Sequence, residues 1–185
     1  MKNLHPIASG VNVRPLVDAI HRNPSVWNRH PQRTESPNSP HYEMDDIWLR
    51  YNDITVVDVN SKEFHEQHDA VWYPAANLLP QAFPIIFDLM RKVEGEHLGG
   101  VLVTRIHPGK QCRPHIDEGW HAQYYDKYAV QLESAPGQTF HVEDEVLYAT
   151  PGDVYMFDNS KLHWVLNNSN HDRMTMIVCI RSRRQ

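Results

Sequence analysis

The second half of the chain is a succession of short segments in which apolar and polar residues alternate, and this feature restricts the possible fold more than any other. Seven such segments follow residue 99, separated by turns rich in Pro, Gly and Asn: GVLVTRIH, YAVQLES, QTFHVED, EVLYAT, DVYMFDN, LHWVLN and MTMIVCI. Many short strands with Pro and Gly turns are typical of a sandwich or a barrel. We therefore predict a mainly β fold, a sandwich or squashed barrel with helices packed on its outside.

The first half contains two segments with a helical period. One predicts a short helix with Pro15 near its start and Pro24 beyond its end, and its apolar stripe consists of Val13, Leu16, Val17 and Ile20. The other predicts a helix over about residues 83–94 with Gly95 as a left-handed cap, and its stripe consists of Ile86, Leu89, Met90 and Val93. Both stripes are predicted to face the core.

A polar, Pro-rich segment and one strand lie between these helices. Residues 31–46 predict a long surface loop, because they contain too few apolar residues to be buried. The following DIWLRYND alternates and predicts a half-buried strand, with Ile47, Leu49 and Tyr51 opposite Trp48 and Arg50. We predict a single domain over 1–185, with helices, loop and flanking strands at 1–98 and a β core at 99–181.

Composition narrows the functional classes. The chain has 185 residues, a formal net charge of −5 and only two cysteines. This charge provides no general basic surface for nucleic acid, and two isolated cysteines provide neither a disulfide framework nor a CxxC zinc motif. The N-terminus lacks the apolar core of a signal peptide, and no segment approaches the length of a membrane span. We predict a soluble cytoplasmic protein without a nucleic-acid or membrane partner.

One of three H-x-[DE] motifs has the companions that a metal site needs. His41 and His141 begin the other two motifs, whereas His115-Ile-Asp117 is followed at a distance by a strand-borne His163. On an extended segment His115 and Asp117 point to the same side. With His163 they would form one face of an octahedron and leave three positions open, which is the arrangement for non-haem Fe(II).

An arginine later in the sequence is placed to bind an organic acid that such an iron could take as a further ligand. A 2-oxo acid would occupy two of the open positions and O2 the third, and the distal carboxylate of the acid then needs a fixed cation. Arg173, ten residues after His163, is predicted to grip that carboxylate with two parallel hydrogen bonds. Thr175 is on the same strand face and would add a hydroxyl donor.

These segments resemble the Fe(II)/2-oxoglutarate-dependent oxygenases, and within them the aspartyl/asparaginyl β-hydroxylase-like group. The resemblance extends over roughly residues 100–180 and rests on VTRIHPGKQCRPHID, YAVQL, PGDVYMFDNSKLHWVLN and DRMTMIV. It implies a double-stranded β-helix (jelly-roll) fold and the same roles for the metal triad and for Arg173. By their positions in the motif, Thr104 and Lys127 resemble further co-substrate contacts, with Lys127 where the family usually has Arg.

One departure from the family bears on the substrate. The protein β-hydroxylases that name the group lack the carboxylate ligand, whereas this chain has Asp117, as do the similar free-proline hydroxylases. We therefore expect hydroxylation of an amino acid or of a peptide or protein side chain. Near the proposed ligands, Trp120 is a candidate for substrate contact. The 31–46 loop and the strand carrying Trp48 and Arg50 are candidates for the mouth of the site.

Two other functions remain open on the sequence. A non-catalytic cupin-like module would bind a metal or a small molecule in a similar barrel, and Arg173 would then have no required partner. A zinc-dependent hydrolase would use the same three side chains to activate water. The spacing of the motif favours the oxygenase, with Fe(II), 2-oxoglutarate and O2 as its requirements.

Overall fold

The computed structural model describes residues 2–56, 61–62, 66–67 and 70–183. Within these ranges it has four fully described α-helices, α1 (Arg14–Arg22), α2 (Pro74–Leu78), α3 (Ala82–Lys92) and α4 (Trp120–Tyr124). Its eleven strands are β1 (Leu4–Ala8), β2 (Met44–Asn52), β3 (Ala70–Trp72), β4 (Gly95–Ile106), β5 (Gln111–His115), β6 (Asp126–Glu133), β7 (Gln138–Val142), β8 (Glu145–Leu147), β9 (Val154–Phe157), β10 (His163–Asn167) and β11 (Arg173–Ser182).

The strands form two antiparallel sheets. The larger sheet has the order β1-β9-β6-β11-β4-β2-β3, and the smaller has the order β5-β10-β7-β8. An apolar cluster joins the inner faces of the two sheets, and it includes Ile106, Ala129, Phe140, Phe157 and Val165. The expected mainly β, jelly-roll fold is confirmed, and all seven segments predicted after residue 99 are strands.

Strand β11 separates the main core from the interior between the sheets. It is central in the larger sheet, paired with β4 on one side and β6 on the other. Its alternate residues Met174, Met176, Val178 and Ile180 pack in the core beneath α1 and α3. The intervening residues face the interior cavity, and these are Arg173, Thr175, Ile177 and Cys179. Because side chains alternate along a strand, a single apolar face of β11 fixes where its polar face points.

Both predicted helices are confirmed, but the predicted cap is wrong. The left-handed residue after α3 is Glu94, with φ of 51°, and Gly95 already begins β4. A Cβ at Gly95 would lie 2.6 Å from Cγ2 of Ile180. Glycine is therefore needed here for the close approach of β4 to β11 rather than for its backbone angle.

A β-bulge changes the predicted facing of residues in β2. The register with β4 shifts between Trp48, which is opposite Leu102, and Arg50, which is opposite Val101. After this shift, Tyr51 lines the interior cavity instead of continuing the face of Ile47 and Leu49. A bulge inserts one residue and so reverses the alternation that follows it, which a period of two in the sequence does not reveal.

Strand β5 was not among the predicted strands. Its residues QCRPH are mostly polar and include Pro114, which cannot donate to a ladder. The strand lies at the edge of the smaller sheet and pairs with β10, with His115 opposite His163. An edge position tolerates proline, so the metal motif begins on a strand that propensity alone does not identify.

The Pro-rich segment before β2 is not the wholly surface loop that its composition predicts. It includes a 3-10 turn at Pro31–Arg33, and Thr34 is buried. Arg113 of β5 holds the segment through two carbonyl oxygens, because its backbone N–H donates to Pro40 and its guanidinium donates to Pro37. These contacts tie the segment to β5, and Arg33 and His41 of the segment line the interior cavity.

The two halves of the chain share one sheet. Strands β1, β2 and β3 from the first half of the chain belong to the same sheet as β4, β6, β9 and β11 from the second half. The single-domain organisation stays a prediction. In the part of the chain that the structure describes, no helix is long and apolar enough to cross a membrane.

Candidate active site

Three side chains converge at the open end of the sandwich. Nε2 of His115 lies 3.7 Å from Oδ1 of Asp117, and Nε2 of His163 lies 3.7 Å from Oδ2 of the same carboxylate. The two imidazole rings have centroids 4.2 Å apart. One ligand atom from each residue lies within 4.8 Å of the others, a spacing at which all three can bind a single ion. The structure thus brings together the triad expected from the sequence.

Backbone carbonyls orient both imidazoles. Nδ1 of His115 donates to the carbonyl oxygen of Arg113, and Nδ1 of His163 donates to that of Lys161, each at 2.8 Å. A proton fixed on Nδ1 leaves the lone pair of Nε2 available for a metal. Each acceptor is two residues before its histidine, so the chain next to each ligand also sets its tautomer.

The protonation states suit a metal site. Burial lowers the pKa of His115, and it lowers the pKa of His163 to about 4, so both rings are neutral at neutral pH. Burial alone would raise the pKa of Asp117, but the ammonium of Lys127 and the two imidazoles outweigh it and hold this pKa below its usual value. Neutral imidazoles and an ionised carboxylate are the forms that bind a divalent cation.

A second group of potential ligands shares His115 but fits a metal less well. His41 and Cys112 lie close to this histidine, and Sγ of Cys112 is 4.0 Å from its Nδ1. That nitrogen is already occupied by its bond to the backbone. Burial also raises the pKa of the Cys112 thiol to about 12, which keeps it protonated. The set with Asp117 is therefore the better donor set, and two nitrogens with one carboxylate fit Fe(II).

Lys127 has a different partner from the one that its position in the motif implies. Its ammonium forms an ion pair with Oδ2 of Asp117, inside the cavity. It therefore balances the charge of the carboxylate ligand in this structure. A co-substrate contact for Lys127 stays a prediction, and the observed pairing does not favour it.

Arg173 is a buried cation, and in the described part of the chain its side-chain partners are hydroxyl groups. The residue is 5% exposed, and its Nη1 donates to Thr175 Oγ1 at 2.7 Å while Nη2 donates to Tyr155 OH at 3.3 Å. Within the described ranges, no carboxylate lies at ion-pair distance from its guanidinium. A buried charge is costly unless it is paired, so this environment suits an anion that arrives with a ligand. Thr104 is paired with Thr175 across β4 and β11, and its hydroxyl donates to the Thr175 carbonyl oxygen at 3.3 Å.

One cavity connects the triad with Arg173. Its volume is about 130 Å³, the space of roughly four water molecules at liquid density. Its polar walls include His115, His163, Thr104, Thr175 and Arg173, and its apolar walls come from both sheets, including Leu102, Ile106, Ala129, Phe140, Phe157 and Val165. A small polar molecule held here would be largely shielded from bulk water.

Two cavity residues were missed by sequence reasoning. Arg33 and His41 come from the Pro-rich segment and line the cavity. The ring of His41 lies 5.0 Å from that of His115, and the Arg33 guanidinium is paired with the buried Asp46. His41 begins one of the two H-x-E motifs that we set aside because no strand-borne His and Arg follow it. Only the fold of the segment over the cavity reveals the place of these residues.

The three residues expected to contact substrate are not brought to the cavity wall. The guanidinium of Arg50 donates to the carbonyl oxygen of Leu98 at 3.3 Å and lies over the ring of Trp72. Trp48 is buried, and its ring lies 5.5 Å from that of Tyr73. Trp120 stacks on Tyr124 at 4.8 Å, whereas its neighbour His121 lines the cavity. Substrate roles for Arg50, Trp48 and Trp120 stay predictions that these placements do not support.

His121 leads to a prediction about acid stability. Burial, with a smaller contribution from Lys127, lowers the pKa of His121 to about 4, whereas an unfolded chain has the ordinary value near 6.5. Between these values the unfolded state binds a proton that the folded state does not, so the free energy of unfolding should fall as the pH drops from 6.5 towards 4. His121→Gln should reduce this slope by up to about 1.4 kcal/mol per pH unit.

Urea unfolding of the metal-free protein at several pH values in this range would measure the slope. His97→Gln is the matched control, since its side chain contacts Tyr125 and neither residue lines the cavity. An unchanged slope in His121→Gln would show that this imidazole is not held neutral by burial.

Comparison with known proteins gives one matching family and similar folds. The model of a family described as aspartyl/asparaginyl β-hydroxylase matches residues 37–183. No curated protein sequence matches the chain. Among solved structures, the chain is similar to a prolyl-4-hydroxylase from Pseudomonas putida, with a TM-score of 0.59 and 15% identity over 98% of this chain and 94% of that one. It is also similar to an oxidoreductase of the 2OG-Fe(II) oxygenase family from Burkholderia pseudomallei, with a TM-score of 0.55 and 12% identity over 77% and 67%.

Proposed function

This chain belongs to the aspartyl/asparaginyl β-hydroxylase family, and from that premise we propose that it is an Fe(II)- and 2-oxoglutarate-dependent dioxygenase that hydroxylates an amino acid or a peptide or protein side chain. The observation that carries the proposal is one cavity whose walls include two ligands of the triad, His115 and His163, together with the buried Arg173. In the described part of the chain, no carboxylate pairs with this arginine. Such a cavity would accommodate a metal ion at the triad and a carboxylate at Arg173.

The triad would hold Fe(II) through Nε2 of each histidine and through Asp117. Iron bound there supplies the activation of O2, in which 2-oxoglutarate is oxidised to succinate and CO2 and one oxygen atom is inserted into a C–H bond of the substrate. The carbonyl oxygens of Arg113 and Lys161 keep both imidazoles in the ligating tautomer. The residues of the chain thus fix the ligands before any metal arrives.

Arg173 would bind the distal carboxylate of 2-oxoglutarate. Its donors are oriented by Thr175 and Tyr155, and the Thr175 hydroxyl lies 3.4 Å from Oε1 of Gln131, which extends the polar network away from the cavity. A guanidinium held in this way offers two parallel donors to a carboxylate. The apolar walls exclude water from the space between the guanidinium and the triad, which strengthens the charge interaction.

The ion pair between Lys127 and Asp117 would weaken when a metal binds. In this structure it neutralises Asp117, and a divalent ion bound to the carboxylate would weaken that pairing because the ion and the ammonium compete for the same oxygen atoms. The lysine keeps the carboxylate in place and ionised until the ion binds. We infer that Lys127 positions Asp117 rather than binding co-substrate.

The proposal is tested by co-substrate consumption. Purified protein with Fe(II), O2 and 2-oxoglutarate is expected to form succinate slowly without substrate, and faster with a substrate that gains 16 Da. The two other functions give different results: a cupin-like binding module would form no succinate, and a zinc hydrolase would be active with Zn²⁺ in the absence of O2. Absence of both binding and consumption of 2-oxoglutarate by iron-loaded protein would refute the proposed function.

A further inference from the structure

The side chains around the cavity carry more positive than negative charge, and this excess bears on the charge of the substrate. Three cations line its wall, namely Arg33, Lys127 and Arg173. Within the described ranges, two carboxylates pair with them, Asp46 with Arg33 and Asp117 with Lys127. Fe(II) and the doubly negative 2-oxoglutarate carry equal and opposite charges, so their binding leaves one positive charge in excess. A low-dielectric cavity with such an excess favours an anionic third occupant.

Arg33 is the cation with donors to spare. A guanidinium has five N–H donors, and in the part of the chain that the structure describes its one acceptor is Asp46. Asp46 is 1% exposed and, unlike Arg33, is not among the residues that line the cavity. The remaining donors belong to a residue that lines the cavity together with His41 and Tyr51. Arg173 is at the other end of the polar wall, in the network of Thr175 and Tyr155.

We propose, resting on the proposed function, that Arg33 binds a carboxylate of the substrate and so selects a carboxylic acid, either a free amino acid or an acidic side chain. The residue precedes the segment 37–183 that the family model matches, so this contact is contributed by the N-terminal part of this chain. The carbonyl oxygens of Pro37 and Pro40 anchor the same segment to Arg113, two residues before the ligand His115. Substrate bound by Arg33 would therefore be held at a fixed distance from the metal.

Equilibrium binding tests this contact without turnover. The zinc-substituted protein, saturated with 2-oxoglutarate, is titrated in a calorimeter with the twenty L-amino acids and their carboxamides, and with N-acetyl-aspartate amide and N-acetyl-asparagine amide. We expect at least one carboxylate to bind, and its amide counterpart to bind about tenfold more weakly or worse, because a charge-assisted pair is lost.

Removing the pair as a unit avoids leaving a buried charge behind. The variant Arg33→Met/Asp46→Asn is expected to lose about tenfold or more in affinity for that carboxylate while its affinity for the amide stays unchanged. The matched control is Arg14→Met/Asp18→Asn, which removes an exposed ion pair on α1. Circular dichroism establishes that each variant is folded. If the first variant does not fold, Arg33→Lys, which keeps the charge but not the fork, should still lose affinity several-fold.

Three results would overturn the inference: equal binding of acid and amide, full carboxylate affinity in the Arg33 variants, or binding of 2-oxoglutarate with no binding by any carboxylate of the panel. Failure of the proposed function is recognised separately, since the wild-type protein would then neither bind 2-oxoglutarate nor consume it with iron.

Discussion

His115→Ala and His163→Ala are each expected to abolish stoichiometric iron binding at micromolar metal, and with it the formation of succinate from 2-oxoglutarate. Each imidazole presents Nε2 to the shared ion position, and the loss of either leaves two protein ligands, too few for one face of an octahedron. Metal content after anaerobic loading and gel filtration, measured by mass spectrometry, gives the result directly. It does not depend on knowing the substrate.

The control for these variants is His141→Ala. His141 begins the third H-x-[DE] motif, and its ring stacks on Trp164 with centroids 4.6 Å apart, on the outer face of the smaller sheet. It should bind iron like the wild type. Retention of one iron per chain by either His115→Ala or His163→Ala would mean that the ion is held elsewhere. For His163→Ala, the neighbouring group of His41, Cys112 and His115 would be the first place to look.

The structure explains why the triad was predictable from sequence. Ligands two residues apart on an extended segment share a face whatever the fold around them, and the third ligand needs only a neighbouring strand. Here β10 pairs with β5 so that His163 is opposite His115. Arg173 and Thr175 were predictable for the same reason, because β11 has one wholly apolar face and its other face must turn towards the interior.

The mouth of the site was not predictable by such local rules. Arg50 and Tyr51 exchanged their expected faces because of a bulge in β2, and nothing in the alternation of DIWLRYND signals the extra residue. Arg33 and His41 lie in a segment whose polar composition predicts exposure. Hydrogen bonds from Arg113 to backbone carbonyl oxygens hold this segment beside the cavity. Contacts to the backbone cannot be predicted from the pattern of side chains.

The contact made by Lys127 differs from the one that the family motif implies. Its position in the family motif implies contact with the co-substrate, and the position is indeed in the cavity wall. An ammonium is a flexible point charge, however, and in a cavity that also holds a carboxylate it pairs with the nearest one, which is Asp117. A planar guanidinium at the same position would have different reach and geometry, so the replacement of Arg by Lys changes the role and not only the strength of the contact.

Replacement of Arg173 is expected to weaken the binding of 2-oxoglutarate without lowering the stability of the folded protein. A bidentate charge-assisted pair contributes roughly 1.5–3 kcal/mol, so Arg173→Met should raise the dissociation constant of 2-oxoglutarate by about tenfold or more, with iron binding nearly intact. Arg173→Lys should recover little of this affinity, because one ammonium cannot reproduce two parallel donors. Calorimetric titration of the zinc-substituted protein with 2-oxoglutarate measures both.

The stability of the ligand-free protein should change in the opposite sense. In wild type the Arg173 guanidinium is buried without a carboxylate partner in the described part of the chain, and it therefore carries a desolvation cost that an apolar side chain of similar length does not. Arg173→Met should unfold at the same temperature as wild type or at a higher one, yet gain less stabilisation when 2-oxoglutarate is added, since that gain depends on the ratio of ligand concentration to dissociation constant. A structural arginine would give the reverse pattern, in which the variant melts at a lower temperature and its affinity for 2-oxoglutarate is unchanged. That reverse pattern would show that the carboxylate of the co-substrate is bound by another cation, and Lys127 would then be the residue to replace.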